Sequence, residues 1–329
     1  MTEHKADRRP IRHGVAILTL GLSVFLTAGA SHAAEAQTGT SGKGVRRALI
    51  VCGLPGDEDH RKLYAGVMEK LAKALIEQYG FPATEVLVRF GGETRPTDGP
   101  ALKSSRGPSS GEGIAADVAE LRKRLTADDS LWVIVLGHGH LDGRRAYLNL
   151  PGPDLDERGF GKLFEGLKAR EQVFFITSSA SGFFLKPLAQ PGRIVITATE
   201  PDREVNETLF PQALADVLAS PPEGIDHDKN GSISVFELYL SVVANVMQRY
   251  VDDENLATEH AKIDDNGDGR GSELQAQYLP EELGGTAGKD EKPTAGPKGD
   301  GQLASQVLIG AVPQPAKDQS NGSTEAAKK

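Results

Sequence analysis

Short aliphatic runs alternate with amphipathic segments along most of the chain from Ala48 onward. The runs are apolar on both faces, which is typical of strands buried in a parallel sheet. They span residues 48–52, 85–90, 131–136, 172–177 and 193–198. Apolar residues recur at helical spacing within residues 63–75, 114–125, 160–167, 209–217 and 236–247. This alternation predicts an α/β fold in which helices flank a central, mainly parallel sheet of about five or six strands.

Three stretches depart from this order. Residues 91–113 are rich in Gly, Pro and Ser, which predicts a long, unpacked loop on the side where the strands end. The segment "AYLNL" at 146–150 predicts a short edge hairpin. From residue 281 small and charged residues dominate, apart from a weakly apolar patch at 303–311. We therefore expect a disordered tail over residues 281–329.

The first 33 residues have a different character. A basic patch precedes an apolar run from Gly14 to Ala30, and small residues follow at 31–33. This order is typical of a secretory signal cleaved before Ala34, with a linker over residues 34–45. The sequence therefore predicts an exported protein, periplasmic or extracellular, that has no membrane attachment after cleavage.

The charge and the cysteine content limit which partners the protein can bind and which interactions can stabilise it. The chain carries a formal charge of −9, or −11 without its first 33 residues, which hold four basic and two acidic residues. A negative surface makes nucleic acid a poor partner. Cys52 is the only cysteine, so no intramolecular disulfide can form. Stability must come from the apolar core and from any bound metal.

Histidines and small hydroxyl residues follow two of the predicted strands. "GHGH" at 137–140 follows the third strand, and "SSAS" at 178–181 follows the fourth. In an open parallel sheet, ligands and catalytic groups gather beyond the carboxyl ends of the strands. If these strands are neighbours, His138 and Ser179 face each other across one cleft. An isolated Gly-His-Gly is also typical of a solvated turn.

The order of these motifs resembles the legumain and caspase type of cysteine peptidase. The likeness covers about residues 46–250: "RRALIVCGLPGDEDHRKLYAGVMEKL" as first strand and helix, the Pro/Gly-rich loop, "GHG", the Ser-Gly turn and "RIVITATEPDREVNETLF". It implies a caspase-like three-layer sandwich over residues 46–222. It also implies that His138 matches the catalytic histidine and that Ser179 stands where the family has its cysteine. A specificity pocket for acidic residues would use His60 or Arg61.

A serine at the nucleophile position changes the expected chemistry. A thiolate forms easily beside an imidazole, whereas serine needs a general base held by a third, usually acidic, group. Only Asp142 is close to His138 along the chain. Three interpretations stay open: a non-catalytic scaffold whose cleft binds a peptide or protein ligand, a serine-using hydrolase of peptide bonds, and a calcium-stabilised structural or interaction protein with a vestigial cleft.

An acidic segment, "DHDKNGSISVFE" at 226–237, matches the calcium loop of an EF-hand. The predicted ligands are Asp226, Asp228, Asn230, the carbonyl of Ser232 and Glu237, with Gly231 at the sharp turn. Calcium suits this spacing because alternate side chains of a tight loop point inward and a terminal carboxylate completes the shell. "SPPEG" at 220–224 interrupts any entering helix, so we expect an EF-hand-like segment over residues 223–280 instead of a full helix-loop-helix.

A second, weaker candidate is "DDNGDGRGSELQ" at 264–275. Asp264, Asn266 and Asp268 are in register, but Gln275 stands where a glutamate belongs. Glu273 is a possible substitute by a different path. Two such loops, separated by the helix over 236–253, could pair and clamp the C-terminal part against the sheet. Bound Ca²⁺ would then stabilise the fold by mass action.

Overall fold

Eleven strands and seven helices make up the part of the chain described by a computed structural model, residues 44–202, 204–286 and 299–312. The strands are β1 (Arg46–Cys52), β2 (Val86–Phe90), β3 (Ser130–Leu136), β4 (Gly139–Asp142), β5 (Arg145–Leu148), β6 (Leu155–Asp156), β7 (Glu171–Ile176), β8 (Arg193–Thr197), β9 (Ser232–Ser234), β10 (Lys262–Asp264) and β11 (Leu308–Ala311). The helices are α1 (Glu58–Glu77), α2 (Pro100–Lys103), α3 (Gly111–Arg124), α4 (Glu157–Leu163), α5 (Leu185–Leu188), α6 (Phe210–Ala219) and α7 (Val235–Asp252). The predicted signal peptide lies outside the described residues.

The central sheet has six strands in the order β10-β8-β7-β3-β1-β2. The five predicted apolar runs are its five parallel strands, β2, β1, β3, β7 and β8, and β10 adds an antiparallel edge to β8. The prediction of a mainly parallel sheet of five or six strands is therefore confirmed. Within the described residues, no helix is both long and apolar enough to cross a membrane.

Helices cover both faces of this sheet. Alternate residues of β1 point to opposite sides, so Ile50 joins one apolar cluster with α1, α6 and α7, while Val51 joins another with α3 and α4. The helices begin at polar caps: the Asp57 carboxylate accepts amide hydrogen bonds at the start of α1, and the Ser110 hydroxyl does so for α3. These caps fix where the loops at the strand ends become helix.

The structure agrees with the prediction for one irregular region and differs from it for another. The edge hairpin is present, because β4, β5 and β6 form a separate antiparallel sheet. The 91–113 loop, expected to be unpacked, contains α2, where Leu102 is 1% exposed, and the fully buried Ser109. This loop therefore packs against the molecule, which its Gly, Pro and Ser content did not indicate.

The prediction of a disordered tail is wrong for residues 299–312. In this segment, β11 pairs antiparallel with β9, and Ala304 and Ile309 are buried. The weakly apolar patch therefore packs against the protein. Composition alone does not indicate this, because the partner strand β9 lies far away in the sequence. The expected pairing of the two acidic loops is also wrong. The first loop contributes β9 to the pair with β11, and the second contributes β10 to the edge of the central sheet.

Candidate functional site

Two turns meet where β3 and β7 end, because these strands are parallel neighbours in the sheet. Gly137 has φ +112°, and a side chain there would collide with the backbone of Gly53. A Cβ on Gly139 would lie 2.5 Å from the carbonyl oxygen of Ser179. Glycine is therefore needed for the two backbones to approach, and the turns that carry His138 and Ser179 lie against each other.

The Ser179 turn is almost entirely buried. Ser179 is 4% exposed and is followed by Ala180 in the left-handed conformation (φ 56°), whose amide donates to the carbonyl of Glu204 (3.0 Å). The neighbouring Ser178 hydroxyl is buried without a hydrogen-bond partner among the described residues, whereas Ser181 is bonded to Thr199. The backbone of this turn is therefore fixed. Its serine hydroxyls are buried in the protein instead of lying on an open surface.

Among the described residues, no carboxylate is hydrogen-bonded to His138 as a catalytic triad would require. Its Nε2 lies 3.1 Å from the carbonyl oxygen of Pro55, so the ring donates to the backbone. Asp142, the acid nearest in sequence, is exposed on β4 and is paired in register with Arg145. The acid that a serine nucleophile needs behind its general base is missing from these contacts of His138.

His138 instead belongs to a polar cluster with His60, Tyr64 and Glu207. The His138 ring centroid lies 5.0 Å from that of His60 and 5.6 Å from that of Tyr64, both edge to face. His60 joins Asp57 (Nδ1 to Oδ1, 2.8 Å) and Glu207 (Nε2 to Oε2, 3.0 Å). Its hydrogen bonds to these two carboxylates raise the pKa of His60. Sequence reasoning missed Glu207, since no spacing connects it to His138.

Arg61 cannot supply the basic side chain of an acidic-residue pocket without giving up its present partners. Its guanidinium is buried, makes two hydrogen bonds of 2.8 Å to the Asp98 carboxylate and donates to the carbonyl of Glu93 (3.0 Å). The alternative, His60, points at the cluster around His138. Cys52 is fully buried, and burial raises the pKa of its thiol far above the ordinary range, so it does not form a thiolate nucleophile.

The first acidic loop, residues 226–237, folds around the Asp226 carboxylate. Its Oδ1 accepts a hydrogen bond from the Asn230 amide (3.1 Å), and its Oδ2 accepts one from the Gly231 amide (2.9 Å). The Asn230 side-chain oxygen accepts from the Ser232 amide (2.8 Å). The predicted ligands of this loop are therefore wound around a common centre.

Glu237 closes the first loop from the start of α7. Its Oε1 accepts from the His227 amide (3.0 Å), and its Oε2 accepts from the amide and the hydroxyl of Ser234 (2.9 and 2.8 Å). One carboxylate oxygen from each of Asp226, Asp228 and Glu237 lies within 4.8 Å of the others. Converging hard oxygen ligands of this kind suit Ca²⁺, so the donor set fits the ion that the sequence predicts.

The second acidic loop, residues 264–275, repeats most of these internal hydrogen bonds, but its first aspartate accepts from the fourth amide where that of the first loop accepts from the fifth. Asp264 accepts from the amides of Gly267 (2.8 Å) and Gly269 (2.7 Å). Asn266 and Asp268 each accept from the amide two positions further on, both at 2.8 Å. The three residues predicted from register in this loop therefore face the interior of one turn.

Neither candidate for the last position of the second loop closes it. Gln275 is buried and engaged elsewhere, with its side chain bonded to the Tyr239 hydroxyl and to the carbonyl of Ala261 (3.3 Å). Glu273, the predicted substitute, forms an ion pair with Lys262 (3.1 Å) instead. The proposed path through Glu273 is therefore wrong.

Asp300 occupies the equivalent place, although it belongs to the tail that was expected to be disordered. Its Oδ1 accepts from the second amide of the loop, that of Asp265 (3.4 Å), and its Oδ2 accepts from the hydroxyl of the ninth residue, Ser272. In the first loop Glu237 has the same two donors, the second amide and the serine at position nine. Asp300 is thus the counterpart of Glu237.

The carboxylates of the second loop are buried together. Burial raises the pKa of Asp264 and Asp265, and the charge of Asp300 adds to both shifts. Asp265 also binds the amides of Gly301 (2.8 Å) and Ala304 (2.7 Å), which holds the C-terminal segment against the loop.

These observations define a mixed α/β protein. A polar cleft lies at the carboxyl ends of strands β3 and β7, and two acidic loops lie in the C-terminal part. Comparison of the chain with known protein-family models finds no match, and a search of curated proteins finds none. Function is therefore inferred from the side chains of these sites.

Proposed function

We propose that the protein is an exported, calcium-binding member of the legumain and caspase type of scaffold, in which the cleft binds an extended peptide or protein ligand without cleaving it. A parallel sheet with one antiparallel edge strand and neighbouring His138 and Ser179 turns supports a caspase-like three-layer fold. The predicted export rests on the signal-like first 33 residues.

The observation that carries the loss of catalysis is the buried serine at the nucleophile position, where the family has its cysteine. His138 is oriented by the carbonyl of Pro55 (3.1 Å) and, among the described residues, has no hydrogen bond to a carboxylate. A serine needs a general base held by an acidic group before its oxygen attacks an amide at useful speed. The open groove beside the cleft is lined by apolar and backbone groups of Leu54, Pro55 and Gly92 and by charged side chains such as Glu58 and Glu93, which together offer contacts to an extended ligand.

Reporter peptides and esters test this proposal. We expect no turnover from the wild type, and gain of slow amide hydrolysis in Ser179→Cys that disappears in the double variant with His138→Ala. Turnover by the wild type that is lost in His138→Ala would instead establish the serine hydrolase, which the contact between the two turns favours. If the Ser179→Cys variant is folded but hydrolyses neither the peptides nor the esters, the result would count against a peptidase origin of the cleft.

Ligand binding is tested with a pool of fluorescent unstructured peptides, measured by anisotropy. Binding by the wild type should fall about 10-fold or more in His138→Ala, a loss of about 1.4 kcal/mol. His140→Asn is the matched control, since His140 is exposed and bonds Asn149 (2.6 Å) outside the cluster. Absence of binding, or equal losses in both variants, would leave only the calcium-stabilised structural role with a vestigial cleft.

The calcium part of the proposal is supported by the matching closure of both loops. Glu237 and Asp300 each accept from the second amide and the ninth serine of their loops. Filling a site that the unfolded chain lacks stabilises the fold by about 2.7 kcal/mol at 100 times Kd. The melting temperature should therefore rise with calcium, and Asp226→Asn should remove part of the rise. An unchanged melting curve would end the calcium proposal.

A further inference from the structure

Three side chains in the cleft point ligand atoms at a common space. One nitrogen each from His60 and His138 and one carboxylate oxygen of Glu207 lie within 4.8 Å of one another. His60 and Glu207 are about one third exposed, so the group is open to solvent on one side. Two imidazoles and a carboxylate form a donor set that selects divalent transition metals, whereas Ca²⁺ and Mg²⁺ prefer oxygen alone.

Each of these three side chains also has a hydrogen-bond partner outside the group. His60 Nδ1 lies 2.8 Å from Asp57, and His138 Nε2 lies 3.1 Å from the carbonyl of Pro55. The hydroxyl of Tyr64 donates to the second oxygen of Glu207 (3.0 Å). Metal-binding histidines commonly donate their other ring N–H to a carboxylate or a backbone carbonyl, which fixes the tautomer and the ring orientation.

His60 Nε2 is hydrogen-bonded to Glu207 (3.0 Å), so a metal would take the place of the proton between them. A neutral imidazole that donates at one nitrogen presents a lone pair at the other, which for His138 is the nitrogen that does not donate to Pro55. Arg61, the adjacent basic residue, is turned away to Asp98 (2.8 Å), so its guanidinium does not neutralise Glu207. A cation between the two histidines and Glu207 would balance the negative charge of the Glu207 and Asp57 carboxylates.

We propose that His60, His138 and Glu207 bind a divalent transition metal of the zinc class, with Asp57, Tyr64 and the Pro55 carbonyl as positioning groups. Three protein ligands leave a fourth position for water or a ligand group, as in open zinc sites. This inference goes beyond the proposed function and does not depend on peptide binding, turnover or the calcium loops.

Cobalt is the probe, because tetrahedral Co²⁺ reports its own coordination through visible absorption. Purified full-chain protein is saturated with calcium to occupy the acidic loops and is then titrated with Co²⁺ and with Zn²⁺ under chelator competition. We expect one equivalent of metal, a visible Co²⁺ band, and displacement of Co²⁺ by Zn²⁺ but not by further Ca²⁺ or Mg²⁺. Displacement by Ca²⁺ would overturn the proposal.

Single substitutions assign the ligands. Glu207→Gln and His60→Asn should weaken Zn²⁺ binding at least 100-fold and abolish the cobalt band, whereas Asp57→Asn should weaken it about 10- to 100-fold. His140→Asn is the matched control and should bind as the wild type does. A far-ultraviolet circular dichroism spectrum like that of the wild type shows that each variant is folded.

Equal Zn²⁺ affinity in the wild type and in Glu207→Gln would overturn the assignment. Absence of any Zn²⁺ or Co²⁺ binding would also overturn it, and would leave His60 as a protonated bridge between the Asp57 and Glu207 carboxylates. Both outcomes are separate from failure of the proposed function, since neither readout uses a peptide, a reporter substrate or the melting curve.

Discussion

The two acidic loops share most of their internal hydrogen bonds but differ in where the closing carboxylate comes from. In the first loop Glu237 lies at the start of α7, inside the twelve-residue motif, and also forms a capping box with Ser234. In the second loop the counterpart is Asp300, which follows Asp265 by 35 residues. The first loop is therefore closed locally, and the second only when the C-terminal segment is docked.

This difference connects the second loop to the rest of the C-terminal part. Asp265 caps the turn that begins at Gly301, and β11 pairs with β9 of the first loop. One segment thus contacts both loops, by a carboxylate at one and by a strand at the other. Calcium at the second loop would relieve the repulsion among Asp264, Asp265 and Asp300 and would stabilise the docked segment.

The largest expected effect comes from breaking the local closure with Glu237→Gln. In saturating calcium we expect a loss of about 3 kcal/mol of unfolding free energy, because the first site loses its terminal ligand. Without calcium the change should stay within about 1 kcal/mol, because the weaker capping box is offset by reduced repulsion with Asp226. Denaturant titrations with and without calcium measure both values.

Glu223→Gln is the control for this change, since Glu223 is exposed just before the same loop, and it should leave both values unchanged. A loss in Glu237→Gln of equal size with and without calcium would mean that Glu237 serves only as a helix cap.

Much of the fold could be predicted because the determining pattern is local. The strands β1, β2, β3, β7 and β8 are short runs apolar on both faces, and such runs need no partner to be recognised. The first acidic loop was predictable for the same reason, since all of its ligands lie within one motif. The sequence left open whether the strands before His138 and Ser179 are neighbours, and the structure pairs them as β3 and β7.

The residues that escaped prediction are those whose role depends on distant contacts. Asp300 stands in a Gly- and Lys-rich stretch that the sequence assigned to a disordered tail. Glu207 reaches His60 across 147 residues. Arg61, predicted as a candidate for the specificity pocket, is instead paired with Asp98, 37 residues away. Spacing in the sequence carries no information on such contacts.

A second experiment distinguishes two contributions to the pH dependence of stability, one from the acidic residues of the loops and one from a buried glutamate beside them. Glu259 precedes β10, and burial raises its pKa to about 7 from 4.5. The native state then binds a proton that the unfolded state has released, so stability is lost as pH rises from the unfolded pKa through the native one. The full loss above pH 7 is about 3 kcal/mol.

We therefore expect Glu259→Gln to stabilise the protein at pH 8 by up to about 3 kcal/mol and to have little effect at pH 4. Calcium should not change this difference, because Glu259 lies outside both loops. In contrast, calcium should flatten the part of the pH dependence that comes from the raised pKa values of Asp264 and Asp265. Denaturation across this pH range, with and without calcium, distinguishes the two contributions. A Glu259→Gln effect that vanished in calcium would place Glu259 within the metal-linked group.

The smallest effect, and the most specific one, is expected from Asp300→Asn. The amide keeps the shape of the side chain but removes one charge from the second site, so calcium affinity there should fall about 10-fold, or about 1.4 kcal/mol. Without calcium the sign should reverse. Asp264 and Asp265 no longer face a third buried charge, and the metal-free protein should gain up to about 1 kcal/mol of stability. Calorimetric titration should show two sites in the wild type, with only the second weakened in Asp300→Asn and only the first in Glu237→Gln. A loss of stability in both conditions, with both calcium sites unchanged, would make Asp300 a packing contact and leave the second loop without a closing carboxylate.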